Sequence, residues 1–463
     1  MKYHHLYGTR LLLSAFILLS GLQVAQAAGS EPTSLTLPSS IALALENNPA
    51  IKIALSSQEK AAWGVKQAKA YNGLSLGYDY TLARTDQPPS WYNNSTSKYP
   101  YSYDPTANGG IGGITNFPAW SDTPSNTYTA YKHELKLQLP LYTGGKIENT
   151  ISLAKHGSAA ATLGTTATRQ QLTLEVTTSY LNVLQARNLT EVAQQGVDDL
   201  GAHLKIVENF YDAGTVSRSD VLQTQVRLAN SRNNLIKAQN SYKLARYKLN
   251  TVIGLPLHNE APLADNFSSK PNSQTVDNSV ANALQNRPEM AQATLKIAMA
   301  QDKVKIAGSG KLPTVALVGT ETWSDTNPST TKDRNSWLVG VNVQLNVFDN
   351  GVTKSQVKQT EHEVTEAQEQ AHQVADKISL EVCQAYLNVQ EATERITNNQ
   401  VAVHQSQTDY GLAQERYEAG VGTNLDVIDA ELAMIQAKTN YIQALYDSNS
   451  SMAQLDKAMG VVR

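Results

Sequence analysis

The sequence predicts a mostly α-helical chain of the α+β class, in which long helical hairpins occur twice and four amphipathic β-strands lie between them. Three observations predict this fold. Strings of residues return at an almost fixed separation of 206 positions, long stretches contain no proline, and short segments alternate apolar and polar residues. Because of the duplication, each half of the chain is expected to form the same supersecondary unit.

The repeat is visible in short strings. Tyr180-Leu181-Asn182-Val183 returns as Tyr386-Leu387-Asn388-Val389. Nearer the start, Pro49 corresponds to Pro288 at a separation of 239, so the first copy holds 33 additional residues. The predicted parts of the chain are a signal peptide over 1–27, a first repeat over 28–254, a linker over 255–277 and a second repeat over 278–463.

The first residues have the pattern of a secretory signal. Lys2 and Arg10 precede the apolar run from Leu11 to Leu19, and small residues follow up to Ala27. These are the charged region, the apolar region and the cleavage site of such a signal. No later segment has the eighteen or more apolar residues that a membrane-spanning helix needs. We therefore expect an exported chain without a transmembrane helix.

Composition excludes several classes of partner and site. With a formal net charge of −3 and a pI near 6.3, the chain lacks the basic surface that nucleic-acid binding requires. Its one cysteine, Cys383, leaves no disulfide and no thiolate metal cluster. His362-Glu363 lacks the second histidine of a zinc-protease helix, and no glycine-rich phosphate loop follows a strand. The sequence predicts no catalytic residues, no metal site and no cofactor.

Two proline-free stretches predict very long helices. No proline occurs between Leu141 and Leu255 or after Pro328, and both stretches are rich in good helix formers. Residues at heptad spacing predict that these helices pack as coiled-coil-like pairs. The heptad residues are Val221, Leu228, Leu235, Tyr242 and Leu249 in the first copy and Val427, Met434, Tyr441 and Leu455 in the second.

Each long helical region is predicted to turn back at a Tyr-x-Ala-Gly element, near residues 211–220 and 417–426. Gly214 and Gly420 suit the left-handed residue that ends a helix. At about 1.5 Å per residue, the descending helix is roughly 100 Å long and the ascending helix roughly 57 Å. The segment from Pro38 to Tyr71, also helical by pattern, adds roughly 51 Å. We therefore expect two short helices to stack end to end beside each long one.

Four segments of about ten residues predict strands with one apolar and one polar face. They are Leu74 to Leu82, Leu135 to Leu141, about 313–323 and 337–347. Tilted strands of this length cross an outer membrane, but four strands leave open edges that are costly in lipid. Three copies would close a twelve-stranded barrel with an aqueous lumen. The alternative is two hairpins packed on a soluble core.

The 33 additional residues fall in a loop between the first two strands, at about residues 84–127. The loop is rich in Tyr, Asn, Ser, Pro and Gly. Long loops of outer-membrane barrels usually lie outside the cell. A receptor role is one interpretation of this loop, and a tolerated surface insertion is the simpler one.

Over nearly the whole mature chain, the sequence resembles the TolC family of outer-membrane efflux and secretion channels. The resemblance is carried by Ala42-Leu43-Ala44-Leu45-Glu46-Asn47-Asn48-Pro49, its echo before Pro288, the turn Leu141-Tyr142-Thr143-Gly144-Gly145 and both Tyr-x-Ala-Gly elements. It implies a homotrimer whose twelve-stranded barrel lies in the outer-membrane lipid of a Gram-negative-type envelope and continues into a periplasmic helical tunnel. It also implies docking onto a periplasmic adaptor protein and an inner-membrane RND, MFS or ABC transporter.

The second tip is similar to the stretch in which this family has two aspartates around the closed entrance. Asp426 and Asp429 are three positions apart, so they share one side of a helix, and a trimer would bring six carboxylates around one axis. Such a ring favours cations and can be blocked by multivalent ones. In the first copy, Asp220 stands in the place of Asp426, so helix-start stabilisation also explains Asp426, whereas Asp429 corresponds to Gln223.

One departure from the family concerns the closed state. The family prototype has an arginine that helps to latch the closed state two residues after the glycine of the second tip, where this chain has Gly422. Arg218 with Asp220, on the first tip, is our candidate for a replacement latch, and a closed state held in another way is the alternative. The resemblance also implies adaptor contacts at the tips, although turn geometry explains the same residues. These are Gly214, Thr215, Val216, Gly420, Val421 and Gly422.

Two other functions explain part of the sequence. A secreted coiled-coil scaffold or adhesin accounts for the signal and the long helices but leaves the four amphipathic strands without a purpose. A free-standing porin accounts for the strands but not for the paired tips. We therefore expect a passive export duct that is gated at its periplasmic tips.

Overall fold

The structure, a computed structural model, describes residues 34–85, 103–104, 113–114, 128–264, 267, 275–325 and 335–461. Its helices are α1 (Leu37–Asn47), α2 (Pro49–Ala70), α3 (Lys146–Asp212), α4 (Arg218–Ile253), α5 (Val276–Asn286), α6 (Pro288–Gly308), α7 (Val352–Glu418) and α8 (Asn424–Ala458). Its strands are β1 (Ser75–Thr85), β2 (Tyr103–Asp104), β3 (Gly113–Ile114), β4 (Tyr128–Tyr142), β5 (Thr314–Asp325) and β6 (Asn335–Gln344). The predicted signal peptide and most of the predicted outer loop lie outside these residues.

The elements confirm the duplication. Helices α3 and α7 each have 67 residues, which corresponds to about 100 Å at 1.5 Å per residue. They turn back into α4 and α8, which have 36 and 35 residues. Residues of the predicted heptads are buried along these hairpins, including Leu228, Leu249, Val427, Met434 and Leu455. Each copy therefore forms one long antiparallel helical hairpin.

The short helices stack as predicted beside the long ones. Helix α3 packs along α4 and also along α2, while α6 and α8 both lie between α3 and α7. At the first junction, Asn48 Nδ2 donates to the carbonyl of Val252 at 2.8 Å, which ties the start of α2 to the end of α4. At the second junction, Gly460 lies directly against Arg287. Contact between α3 and α8 joins the two hairpins into one wall.

The prediction of one helix from Pro38 to Tyr71 was wrong at a single residue. Asn48 has an extended backbone with ψ of 130° and separates α1 from α2. The cause is Pro49, because the residue before a proline is pushed out of the helical region. Asn48 then caps α2, since its Oδ1 accepts from Ala50 N at 2.8 Å.

Four strands form one antiparallel sheet in the order β1-β4-β5-β6. The register places Leu76, Leu137, Gly319 and Val339 in one row, and the apolar face is exposed, with Trp337 at 76%. On the opposite face, Lys136 pairs with Asp79 at 2.8 Å. The predicted apolar and polar faces are confirmed, although Glu321 lies in an apolar row, opposite Leu135 and Trp337.

Two predicted strand ends need correction. The strand predicted over 337–347 ends at Gln344, which pairs with Thr314. Pro313 precedes Thr314 and has no N–H to donate, so the ladder stops there. Strand β1 reaches Thr85, so residues 84 and 85, which were predicted as loop, belong to the strand. Within the described residues, no helix is apolar over a length that would cross a membrane.

Candidate gate at the hairpin tips

Both hairpin tips end on a left-handed glycine, as predicted. Gly214 has φ of 75° and Gly420 has φ of 74°, which glycine adopts without steric cost. Beyond each glycine the chain bonds back to the preceding helix. Thr215 N donates to Phe210 O, and Val421 N donates to Arg416 O, each at 2.9 Å. The tips are exposed, and Val421 reaches 79% exposure.

The two aspartates at equivalent positions start the ascending helices. Asp220 Oδ2 accepts from Ser217 N at 3.1 Å, and Asp426 Oδ2 accepts from Thr423 N at 2.9 Å. In return, Ser217 and Thr423 cap α4 and α8 through their hydroxyl oxygens. These are capping boxes. The hydrogen bonds from Thr423 and then the charge of Arg416 lower the pKa of Asp426, so this exposed carboxylate is ionised.

Asp429, unlike Asp426, takes no part in capping the helix. It is exposed on α8, one turn after Asp426, and none of the described residues forms a hydrogen bond or ion pair with it. The structure therefore places both predicted gate residues on the exposed surface of one helix start. It assigns helix capping to Asp426, while a ring of carboxylates from three chains stays a prediction for both residues.

The candidate latch is not formed within one chain. Arg218 is the exposed first residue of α4, and it has no ion pair among the described residues. The Asp220 carboxylate is instead bonded to Ser217, whose hydroxyl donates at 2.8 Å. A latch between Arg218 and a second copy stays a prediction.

Gly422 is closely surrounded by the end of α7. A Cβ atom added at Gly422 would lie 3.0 Å from Tyr417 N and 3.1 Å from Arg416 C. Its own N–H donates to Arg416 O at 3.0 Å. The second tip is thus folded so closely onto the end of α7 that a side chain at this position would force the backbone to move.

A polar layer near the tips, which the sequence analysis missed, joins the two hairpins. Asn424 of α8 is buried, and its Oδ1 accepts from His203 Nε2 of α3 at 2.8 Å. Asn424 Nδ2 donates to the carbonyl of Asp220 at 3.2 Å. The hydroxyl of Thr224, on α4, lies 3.2 Å from the same Oδ1 atom. We call His203, Thr224 and Asn424 the first polar layer.

Burial controls the chemistry of this layer. His203 is 1% exposed, and desolvation lowers its pKa, against the opposing effect of its hydrogen bond to Asn424. The ring is therefore neutral at pH 7. Tyr417 packs edge-on against it, with ring centroids 5.1 Å apart. Among the described residues, His203 Nδ1 and Tyr417 Oη are buried without a hydrogen-bond partner, so the layer is not fully satisfied.

The only signal in the sequence for this layer was a departure from the repeat. Asn424 stands where the first copy has Arg218, so the two tips cannot make equivalent contacts. His203 and Asn424 are 221 positions apart, and no local pattern connects them.

Paired hairpins about 100 Å long, exposed tips and a sheet with an exposed apolar face define a channel-type protein of the cell envelope. The chain belongs to the outer membrane efflux protein family, which matches residues 40–255 and 280–461. The predicted family, the function as an outer-membrane export channel and the location in the outer membrane with a periplasmic helical extension are confirmed. None of the comparisons supports a scaffold or adhesin.

Individual relatives agree with this assignment. The chain is 25% identical to the alkaline protease secretion protein AprF of Pseudomonas aeruginosa over 74% of each chain. It is 25% identical to the outer membrane protein TolC of Escherichia coli over 64% of this chain and 62% of that one. The structure of the outer membrane protein VceC from Vibrio cholerae superposes with a TM-score of 0.73 at 19% identity, covering 92% of this chain and 96% of that chain.

Proposed function

We propose that three copies of this chain form a passive export duct that is closed at its hairpin tips and opened by contact with partner proteins. Each copy contributes four strands to a twelve-stranded barrel in the outer membrane and a third of a helical tunnel in the periplasm. The duct itself carries out no chemistry.

The observation that carries this proposal is the sheet. Its outer strands β1 and β6 have no neighbour on their free edges within the described residues. Its apolar side chains Leu76, Tyr78, Val339 and Val341 are more than half exposed. An open edge and an apolar face of this kind are stable in lipid only if the strands close into a barrel. Pairing β1 of one copy with β6 of the next removes both edges.

The gate is proposed at the start of α8. Within the part of the chain that the structure describes, the Asp429 carboxylate has no hydrogen bond or ion pair, and the hydrogen bonds of the helix cap keep Asp426 ionised. Six such charges around a narrow axis would attract cations and bind multivalent ones. The exposed tip residues, among them Val421 at 79% exposure, would meet a periplasmic adaptor. The energy for opening would come from an inner-membrane RND, MFS or ABC transporter. Because AprF is named for protease secretion, secretion and efflux are both proposed uses of the duct.

The test is single-channel conductance of the purified mature protein in a planar bilayer. We expect small, cation-selective currents that a trivalent cation blocks from the periplasmic side. Asp429→Asn should weaken this block while leaving the fold intact. Asp426→Asn should weaken it as well.

Asp220→Asn is the matched control for Asp426→Asn, because both variants lose the carboxylate of a capping box and only one removes a predicted pore charge. Block should persist in Asp220→Asn. Identical block in the wild type and in both second-tip variants would refute the aspartate ring while leaving the channel in place. A folded, membrane-inserted trimer without conductance would refute the duct.

A further inference from the structure

A second polar layer lies one heptad farther from the tips, where the same three helices meet. Its members are Gly196 of α3, Ser231 of α4 and Glu431 of α8, each seven residues from its counterpart in the first polar layer. A Cβ atom added at Gly196 would lie 3.0 Å from Glu431 Oε1 and 3.4 Å from Ser231 Oγ. The Glu431 carboxyl group therefore lies against the backbone of α3, in space that only glycine leaves free.

Glu431 is buried in this layer without a partner. It is 6% exposed, and among the described residues no group forms a hydrogen bond or ion pair with its carboxyl. Burial and then the charge of Asp199 raise the pKa of Glu431 to about 7, while the charge of Arg227 acts in the opposite direction. The carboxyl is therefore close to half protonated at neutral pH.

Every helix around Glu431 contributes a titratable or charged group. They are Asp199 on α3, Arg227 on α4, Tyr410 on α7 and Lys438 on α8. Asp199 has a raised pKa, mainly through burial, and its Oδ2 is buried without a partner among the described residues. The junction thus holds two carboxyl groups whose ionised forms are poorly compensated, which is costly in a buried site.

A cleft of about 350 Å³ opens beside the carboxyl, between α3, α4 and α8. Arg227 and Glu431 both line it, although they form no ion pair in the packed arrangement. A carboxylate that left the backbone of Gly196 would find water and the Arg227 guanidinium in this cleft. Turning into the cleft removes the contact between the carboxyl group and the backbone of α3 at Gly196, which is a contact between α8 and α3.

We propose that Gly196, Ser231 and Glu431 form a proton-operated clamp between the two hairpins of one chain. With Glu431 protonated, α8 packs on α3. When Glu431 releases its proton to solvent, the carboxylate turns into the cleft toward Arg227 and the start of α8 separates from α3. The consequence for transport rests on the proposed function, because α8 carries the proposed gate residues, but the movement itself does not.

The direction of the pH dependence follows from linkage. A carboxyl that titrates near 7 in the packed arrangement and near 4.5 when exposed favours packing at low pH. The packed arrangement is favoured most strongly below pH 4.5, and this stabilisation is lost as the pH rises to about 7. The difference between these two pKa values limits the effect of pH on the packing equilibrium to roughly 300-fold.

The experiment is hydrogen–deuterium exchange of the full-length protein in detergent, followed in peptides from residues 424–436. Wild type is compared with Glu431→Gln at each pH, so the intrinsic pH dependence of exchange cancels. We expect a rate ratio near one at pH 4 that rises by at most roughly 300-fold and levels off above about pH 8, with a midpoint near 7. Peptides from residues 448–458, at the far end of α8, should give a ratio of one throughout.

Two variants test the electrostatics independently of folding. Asp199→Asn removes a repelling charge and should move the midpoint to lower pH, whereas Arg227→Gln removes an attracting charge and should move it to higher pH. A flat ratio for the wild type, or a midpoint that neither variant moves, would overturn the clamp. If exchange titrates as expected while conductance does not depend on pH, the clamp stands and its link to the proposed gate is refuted. If cation block depends on Asp429 but the exchange ratio does not change with pH, the proposed gate stands and the clamp is refuted.

Discussion

His203 and Asn424 lie on different hairpins, and their side chains meet at 2.8 Å in a site that is closed to solvent. This contact connects the descending helix of the first hairpin to the first turn of the helix that carries Asp426 and Asp429. The position of the proposed gate therefore depends on a buried polar contact between the hairpins as well as on the turn that precedes it.

Removing the amide of Asn424 should loosen the tips. Asn424→Ala leaves His203 Nε2 without its acceptor, whereas the Asp220 carbonyl keeps the Thr224 hydroxyl as a donor at 2.9 Å. An unsatisfied buried polar group costs about 1–3 kcal/mol. We expect a lower midpoint of thermal unfolding by circular dichroism. Leu425→Ala changes the neighbouring residue, which is 47% exposed, and serves as the control. Equal midpoints for the two variants would contradict a structural role of the layer.

Restoring the family arginine should fail to latch the tip. Because a Cβ atom at Gly422 meets the backbone of α7 at 3.0 Å, Gly422→Arg should destabilise the turn, and overpacking of this kind costs about 1–3 kcal/mol. Gly411→Ala, at an open helix position of α7, should instead stabilise the helix by about 1 kcal/mol. Thermal unfolding of the two variants measures this difference. A more stable, less conductive Gly422→Arg protein would show that the arginine latch can be restored.

The close contact between Gly196 and Glu431 predicts a reversal of sign in a double-mutant cycle. Alanine is better than glycine inside a helix by about 1 kcal/mol, yet Gly196→Ala should destabilise the wild type because its methyl group meets the Glu431 carboxyl. In a Glu431→Ala background the remaining neighbours are the side-chain ends of Ile435 at 3.3 Å and Ser231 at 3.4 Å, which can shift, so the same change should stabilise the protein. Gly201→Ala, at an open position of the same helix, should be stabilising in both backgrounds. Unfolding midpoints of these variants would test the contact.

The stabilising contribution of the neutral His203 ring should be lost at acidic pH. Burial holds the pKa of His203 below its ordinary 6.5, so the unfolded chain binds a proton before the folded one does. The contribution of the neutral ring is fully present above pH 6.5 and is lost as the pH falls through the lower folded pKa. His203→Gln should remove this loss, and His404→Gln, at an exposed position of α7, should not. Unfolding midpoints between pH 7.5 and 5 would measure it.

The sequence was sufficient for the elements and for the family, because both rest on local patterns. The 206-residue repeat predicted two helical hairpins of equal length. Gly214 and Gly420 predicted the exact residues at which the two hairpins turn. Alternation of apolar and polar residues identified the strands, although the pairing of Thr314 with Gln344 and the preceding Pro313 decided where β6 ends. The break between α1 and α2 at Asn48 was not predicted, because the helical pattern of the sequence continues through Pro49.

The site could be predicted only in part. Asp426 and Asp429 were predicted as gate residues because their stretch is similar to that of the TolC family, and their spacing places them on one side of a helix. The capping role of Asp426, the tight fold behind Gly422 and both polar layers depend on atoms from two or three helices that are far apart in the chain.

By itself, the sequence determined that this protein is a duplicated, exported chain of long hairpins and short amphipathic strands, because periodicity and turn residues act over a few positions. Tertiary structure alone decided that Gly196 lies opposite Glu431 and His203 opposite Asn424, since burial and partnership depend on which helices pack together. The chemistry of these residues, including the raised pKa of Glu431, arises from that packing.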